Sequence, residues 1–148
     1  MTLSLEARAL GWLARREFSR AELRRRLQQY EPSEEEIDRL LDRLESRRLL
    51  SDERFTESLI HRRGDRFGVA RIRQELALHG VSAEDAAESL DALRVSEFDR
   101  ARAVWLKRFG EQPADSADRL RQMRFLASRG FSHEVIRRLL RGDPGAEG

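Results

Sequence analysis

The chain has no cysteine, which excludes disulfides and thiolate metal sites and suits a reducing compartment. It has only three prolines among 148 residues, and with 38% charged and 39% hydrophobic residues the composition favours helices with heavily charged faces over sheet. No apolar run approaches the roughly 20 residues that span a bilayer. Met1 to Arg20 lacks the apolar segment of a secretory leader, so a soluble, cytoplasmic protein without a membrane partner is expected. Lysine is nearly missing too: of 29 basic residues only Lys107 is not Arg. Net charge is also small, at +2, because 27 acidic residues offset the basic ones. Any affinity for a polyanion must therefore come from how the Arg residues cluster.

What the chain does have is a weak three-fold echo. Ser19-x-x-Glu22-Leu23-x-x-x-Leu27 is followed by Ile72-x-x-x-Leu76 ahead of Gly80-Val81-Ser82, and then by Leu126 ahead of Arg129-Gly130-Phe131-Ser132. The spacing of about 50 residues is near the period of stacked helical units. Arrays of this kind present surfaces to other macromolecules and seldom enclose a catalytic pocket.

The apolar spacing divides the chain into nine helices. Leu5, Ala9, Trp12 and Leu13 share one helical face, Leu23, Leu27 and Tyr30 a second, and Ile37, Leu40, Leu41 and Leu44 a third. Ser19 with Glu22 and Ser33 with Glu36 have the spacing of capping boxes. In the second unit Ser51 or Asp52 caps a helix bearing Phe55, Leu59 and Ile60, Val69 to Leu76 form the next, and Ser82 with Asp85 starts the third. In the third, Ser96 caps a helix bearing Phe98, Ala101 and Trp105. A stripe of Leu120, Met123, Leu126 and Ala127 follows a loop from Gly110 to Ser116, and Val135 to Leu140 close the unit. The expected domains are three-helix repeats at 1–50, 51–95 and 96–141, with a flexible tail at 142–148. Their net charges are +1, −2 and +3 up to the chain end, so both flanks are more basic than the middle.

No catalytic or metal site is expected. His61, His79 and His133 are scattered, and His133-Glu134 lacks the second histidine of a zinc-protease helix. There is neither a phosphate loop nor a nucleophile elbow, and acids lie among Arg at helix-pairing distance, Glu35 with Arg39 for example. No cofactor is implied. The basic clusters are Arg15-Arg16, Arg24-Arg25-Arg26, Arg47-Arg48 and Arg62-Arg63 with Arg66, joined in the last unit by Lys107-Arg108 and Arg129. Each is either a solvated helix face paired with nearby acids or a contact for phosphate or an acidic protein surface. Phe131, Trp12 and Trp105 occupy apolar positions and are assigned to the core. A three-helix unit with a short turn also leaves open a stand-alone helix-turn-helix-like DNA-binding protein.

Four strings in order, Leu13-Ala14-Arg15-Arg16-Glu17-Phe18-Ser19-x-x-Glu22-Leu23, Leu50-Ser51-Asp52-Glu53-Arg54-Phe55, Gly68-x-x-Arg71-Ile72-x-x-Glu75-Leu76-x-x-x-Gly80-Val81 and Phe125-Leu126-x-x-Arg129-Gly130-Phe131, resemble the RecX family of bacterial recombination regulators. The resemblance covers about residues 5 to 141; Phe18 stands where the family often has Tyr, and Ser51 where a second acid is common. It implies an all-α, elongated crescent of three tandem three-helix repeats. It further implies a monomeric partner of the RecA filament on single-stranded DNA that inhibits strand exchange and ATP hydrolysis in DNA repair and the SOS response, with single- or double-stranded DNA as a further contact. The marked motif residues are Asp52, Glu53, Arg54, Phe55, Gly130 and Phe131. Asp52 in such a motif either caps a helix or meets a partner, and Phe55 either fills the core or does the same.

Overall fold

The computed structural model describes residues 2–142; the expected tail lies outside the described residues save for Gly142. Among the described residues the chain is all α, in nine helices: α1 (Leu5–Leu13), α2 (Arg20–Gln28), α3 (Glu34–Ser46), α4 (Asp52–Arg63), α5 (Val69–Leu78), α6 (Ala87–Val95), α7 (Glu97–Arg108), α8 (Ser116–Ser128) and α9 (His133–Leu140). Each consecutive triplet buries its own apolar core. Ala9, Phe18, Leu23, Leu27, Ile37 and Leu41 centre the first. Phe55, Ile72, Leu76 and Leu90 centre the second, and Phe98, Trp105, Leu126, Phe131 and Ile136 the third. The architecture is thus three tandem three-helix repeats.

Local chemistry sets most helix starts. The hydroxyls of Ser4, Ser19, Ser33, Ser51 and Ser132 each accept the N–H three residues on, at 3.0–3.1 Å, which satisfies one of the donors a helix leaves open at its N-terminus. At Ser19 the Glu22 carboxylate lies back toward the Ser19 backbone N–H, which helps hold that carboxyl in its charged form. Ser51 is thus the cap of α4, and Asp52 is released for another task.

Several sequence expectations need correction. Ser82 does accept the Asp85 N–H at 3.1 Å, but residues 83–86 form a turn closed by Ala87 N–H to Glu84 O, and α6 begins only at Ala87. The Ser96 hydroxyl does not cap α7; it donates back to Leu93 O at 3.1 Å and accepts from Arg100. Tyr30, Leu120 and Ala127 are exposed. Tyr30 lies past the end of α2, and on α8 the buried place goes to Gln122, whose Oε1 accepts the Trp105 indole N–H at 2.7 Å. Glu35 and Arg39 do not pair; Arg20 instead pairs between helices with Asp42 and Glu45.

Successive repeats are joined by one device used twice. At the first joint the Asp52 carboxylate, on the first residue of α4, accepts the N–H of Arg20, the first residue of α2, at 2.7 Å. The Ser19 hydroxyl donates to His79 O at 2.5 Å, and Gly80 (φ +78°) sits so close to α2 that a Cβ there would overlap that of Ala21. At the second joint the Glu97 carboxylate, on the first residue of α7, accepts the N–H of Val69, the first residue of α5, at 2.7 Å. Gly68 N–H donates to Arg129 O at 2.7 Å, and Gly130 (φ +88°) lies against Arg71. An acid opening the first helix of one repeat therefore caps the second helix of the repeat before it, and a glycine turn from the same repeat packs beside that cap.

Burial pushes the Asp52 carboxyl above the usual aspartate range, with Glu45 and Asp85 adding to the rise, while the Arg20 N–H and charge oppose it. A carboxyl whose folded value is raised favours the folded state most when protonated. The stability of the wild type relative to Asp52→Asn should therefore fall as pH rises through that titration. Asp52→Ala, which leaves the Arg20 N–H without an acceptor, should cost about 1–3 kcal/mol at neutral pH. Urea unfolding of the three proteins between pH 4 and 8 measures both.

Candidate functional site

The basic residues separate according to where their N–H groups go. Some are committed to the fold. Arg24 bridges α2 to α3 through Glu34 at 2.8 Å and through Asp38, and this second pair holds Asp38 below the usual aspartate range. Arg16 pairs with Glu22 at 2.7 Å, and Arg54 with Glu17 at 3.1 Å while also donating to Arg48 O. Burial pushes the Glu22 carboxyl up, but the bond and charge of Arg16, with His79 and the Ser19 N–H, outweigh it and hold that carboxyl low. Arg63 pairs with Glu75 at 2.7 Å, Arg62 donates to Ser58 O of its own helix at 3.4 Å, and Arg47 reaches Glu6 only at 3.7 Å.

The side chains of others have no acidic partner and no hydrogen-bond acceptor among the described residues. They include Arg15, Arg25, Arg26, Arg66, Lys107, Arg108 and Arg129. Four of these come together. Arg66, Lys107, Arg108 and Arg129 line one groove across the second joint, with Val104 and Phe125 as its apolar part and a volume of about 320 Å³.

The groove is built from the joint upward. Phe67, 8% exposed, is surrounded by the guanidiniums of Arg63, Arg66, Arg71 and Arg129, 4.6–5.7 Å from its centroid. Phe125 receives Arg108 and Arg129, each at 5.0 Å, and meets Phe109 edge-on at 5.5 Å. A guanidinium attracted to a ring by the π quadrupole is held in place without using its donors. Beneath them Arg100 donates to Gly64 O and Phe67 O, both at 2.6 Å, and to Leu93 O at 3.0 Å, which pins the turn carrying Arg66 and Phe67. Burial holds the Arg100 guanidinium below its ordinary value, with Glu97 and Asp65 opposing.

A second set lies on the first repeat. Arg26 approaches Trp12 and Phe18 at 5.3 and 4.9 Å, Arg16 covers Phe18 at 3.6 Å, and Arg8 covers Tyr30 at 4.2 Å. Arg15 and Arg25 are exposed on the same repeat, whereas Arg48 lies at the far end of α3 in a left-handed turn (φ 60°).

The motif residues divide as well. Phe55 and Phe131 are core, 1% and 4% exposed, and Asp52 and Gly130 are joint residues. Arg54 ties the first joint, and Glu53 is exposed. Sequence reasoning missed the part played by Phe67, Phe125, Val104 and Arg71 in the groove. The signal was present in Arg66-Phe67-Gly68, a basic residue and an aromatic directly before the glycine that the second joint requires.

Among the described residues no group of three or more His, Asp or Glu is placed to hold a metal, and no helix is long and apolar enough to cross a membrane.

Three family models match the chain in order: the first three-helix domain of RecX at residues 7–44, the second at 51–90 and the third at 96–140. The chain is 52% identical to the Regulatory protein RecX of Leptothrix cholodnii, over 94% of this chain and 88% of that one. It is 51% identical to that of Ralstonia nicotianae (95% and 88%) and 43% identical to that of Pseudomonas putida KT2440 (95% and 91%). The crystal structure of RecX from Lactobacillus salivarius superposes with a TM-score of 0.75 at 20% identity, covering 93% of each chain, so the fold persists where most of the sequence has changed. With three domains matched in series and identities above half across nearly the whole length, the chain belongs to the RecX family of regulatory proteins.

Proposed function

We propose that this chain regulates the RecA recombinase in the cytoplasm, as a monomer that binds the RecA filament on single-stranded DNA and slows its ATP hydrolysis and strand exchange during DNA repair and the SOS response. Family membership supports the choice of partner. The observation that carries the mode of binding is the groove across the second joint, where four cations have no acidic partner among the described residues. Cations without internal partners, three of them guanidiniums set beside aromatic rings, are what an anionic filament can engage by electrostatic complementarity. The first repeat adds Arg15, Arg25 and Arg26 as a second contact.

The test is RecA-catalysed ATP hydrolysis on single-stranded DNA with added protein. Wild type should depress the rate at stoichiometric amounts, and Lys107→Glu/Arg108→Glu should lose most of that effect while its circular dichroism is unchanged. Arg24→Glu should behave differently, because it places a third carboxylate against Glu34 and Asp38 and loosens α2 from α3, so its loss of effect should accompany a lower Tm. No effect of the wild type on RecA, together with tight sequence-selective binding to duplex DNA, would favour a helix-turn-helix-like DNA-binding role instead.

A further inference from the structure

We infer that copies of this chain associate head to tail, the outer face of α1 in one copy lying in a cleft between α4 and α6 of the next. The inference goes beyond the regulatory reading and rests on it in one respect only, that a filament is where copies meet. Two surfaces carry it, one on the first repeat and one on the second. Both are apolar at the centre, and they are opposite in charge at the edges.

The cleft has a volume of about 390 Å³. Ile60 of α4 with Ala92 and Leu93 of α6 form its apolar part, Glu57 supplies its charge, and none of the chain's 29 Arg and Lys residues lines it. Val95, at the end of α6, is 84% exposed. The second repeat spends Glu75 and Asp91 on ion pairs with Arg63, Arg71 and Arg94, which leaves Glu57 and Glu88 without a cationic partner among the described residues. Glu88 lies one turn before Ala92 and therefore on the same side of α6. Each of the two helices thus brings a bare carboxylate beside the apolar part.

The complementary surface is on the same chain. Leu5, Ala9, Trp12 and Leu13 pack into the core of the first repeat, and the opposite side of α1 carries Ala7, Leu10 and, at the C-cap, Ala14. Leu10 is 36% exposed, and Leu3, just ahead of the helix, 61%. Gly11, with nothing within 4 Å, keeps that side low enough for a close approach. Arg8, whose guanidinium donates to the neutral Tyr30 hydroxyl, lies along one edge with Arg15 two turns on, and neither has an acidic partner among the described residues. Glu6, the one acid of α1, is on the other edge toward Arg47. An apolar stripe with a basic edge therefore meets an apolar trough with acidic edges, in the manner of a helix laid in a groove. The net charges of the two repeats, +1 and −2, act in the same direction. Because the two surfaces differ, each copy uses α1 once and the cleft once, and the same step repeats in one direction. That is the symmetry of a filament, which a two-fold dimer lacks. One helix on one cleft buries less than the roughly 1,200 Å² of a stable interface, so copies stay separate in dilute solution and join when a filament holds them side by side. Arg15 serves the neighbour inside such a row and the filament at its end.

The experiment uses the absence of cysteine, which lets single thiols report the contact. Leu10→Cys and Ala92→Cys chains, both changed at exposed positions, are mixed and treated with a short bismaleimide, in dilute solution, in concentrated solution and on RecA filaments on single-stranded DNA. RecA-catalysed ATP hydrolysis is measured in parallel. A cross-link joining the two kinds of chain should form in concentrated protein. On filaments its yield should exceed that in dilute solution roughly tenfold, because neighbours there share an effective concentration in the mM range. A chain bearing both substitutions should give a ladder of multimers. Glu57→Arg/Glu88→Arg in the Ala92→Cys chain should lower the yield about tenfold by setting like charges together, and Arg8→Glu/Arg15→Glu in the Leu10→Cys chain should restore it. Circular dichroism of each variant separates loss of contact from loss of fold.

Equal cross-linking of Leu10→Cys with Arg73→Cys, an exposed position of the second repeat outside the cleft, would overturn the contact. So would a cross-link confined within single molecules of the doubly substituted chain, or a charge exchange that fails to restore the yield. If ATP hydrolysis is inhibited and no specific cross-link forms on filaments or in concentrated protein, the regulatory reading stands and the contact falls. Specific cross-linking in concentrated protein without any effect on RecA keeps the contact and removes that reading.

Discussion

Gly130→Ala should cost about 2–6 kcal/mol and detach the third repeat from the second. Two penalties act at once. The residue adopts φ +88°, a conformation that strains an L side chain, and an added Cβ would overlap that of Arg71 and come within 2.6 Å of its backbone nitrogen. Neither the turn nor the first turn of α5 can move aside cheaply, because Gly68 N–H is bonded to Arg129 O, the carbonyl directly before Gly130. The expected readout is a thermal transition that splits in two or drops sharply, with the core of each repeat retained. Since Arg66 and Phe67 come from one side of the joint and Arg108, Phe125 and Arg129 from the other, filament inhibition should be lost with it. Ala at Gly11, where nothing lies within 4 Å, should be close to neutral and is the control.

Glu97→Ala should also be damaging, by about 1–3 kcal/mol for the donor it strands. Glu97 is 5% exposed, and its two carboxylate oxygens accept the N–H of Val69 at 2.7 Å and of Ser132 at 3.4 Å. Removing it strands the buried Val69 N–H, worth about 1–3 kcal/mol without an acceptor, whereas Ser132 is exposed and its N–H can turn to water. It also removes the larger of the two carboxylate charges, Glu97 and Asp65, that offset burial at Arg100. Glu97→Gln should fall between, since its amide oxygen can keep the Val69 bond while its amide nitrogen faces the Ser132 N–H. Urea titration of the three proteins gives the ranking, and equal stability of wild type and Glu97→Ala would remove the joint from the explanation of the fold.

The legible parts of the fold were local ones. Serines at 19, 33 and 51 announce helix starts because their hydroxyls reach only three residues onward, and Ile37, Leu40, Leu41 and Leu44 announce a buried face because helical spacing alone brings them together. Tyr30 and Leu120 were misread for a related reason: apolar spacing continues through residues that lie past a helix end or on its open side. Gln122 was missed because its burial depends on an indole 17 residues away.

The joints could not be read locally. They unite backbone groups with carboxylates 32 and 28 residues apart, and a motif acid that caps a helix in another repeat looks the same in sequence as one that caps its own. Of the basic residues, adjacency was misleading. Arg24 and Arg26 are two positions apart on α2, so one turns toward the acids of α3 and the other toward Trp12 and Phe18. Sequence showed where guanidiniums were dense; only packing shows which of them have donors to spare.

The most direct measurement is arginine modification by phenylglyoxal, mapped by mass spectrometry, on the free protein and on the protein bound to RecA filaments on single-stranded DNA. Arg66, Arg108 and Arg129 should react when free and become protected in the complex, Arg73 should react in both, and Arg100 in neither. Full reactivity of those three groove residues in the bound state would contradict the assignment of the groove as the working surface.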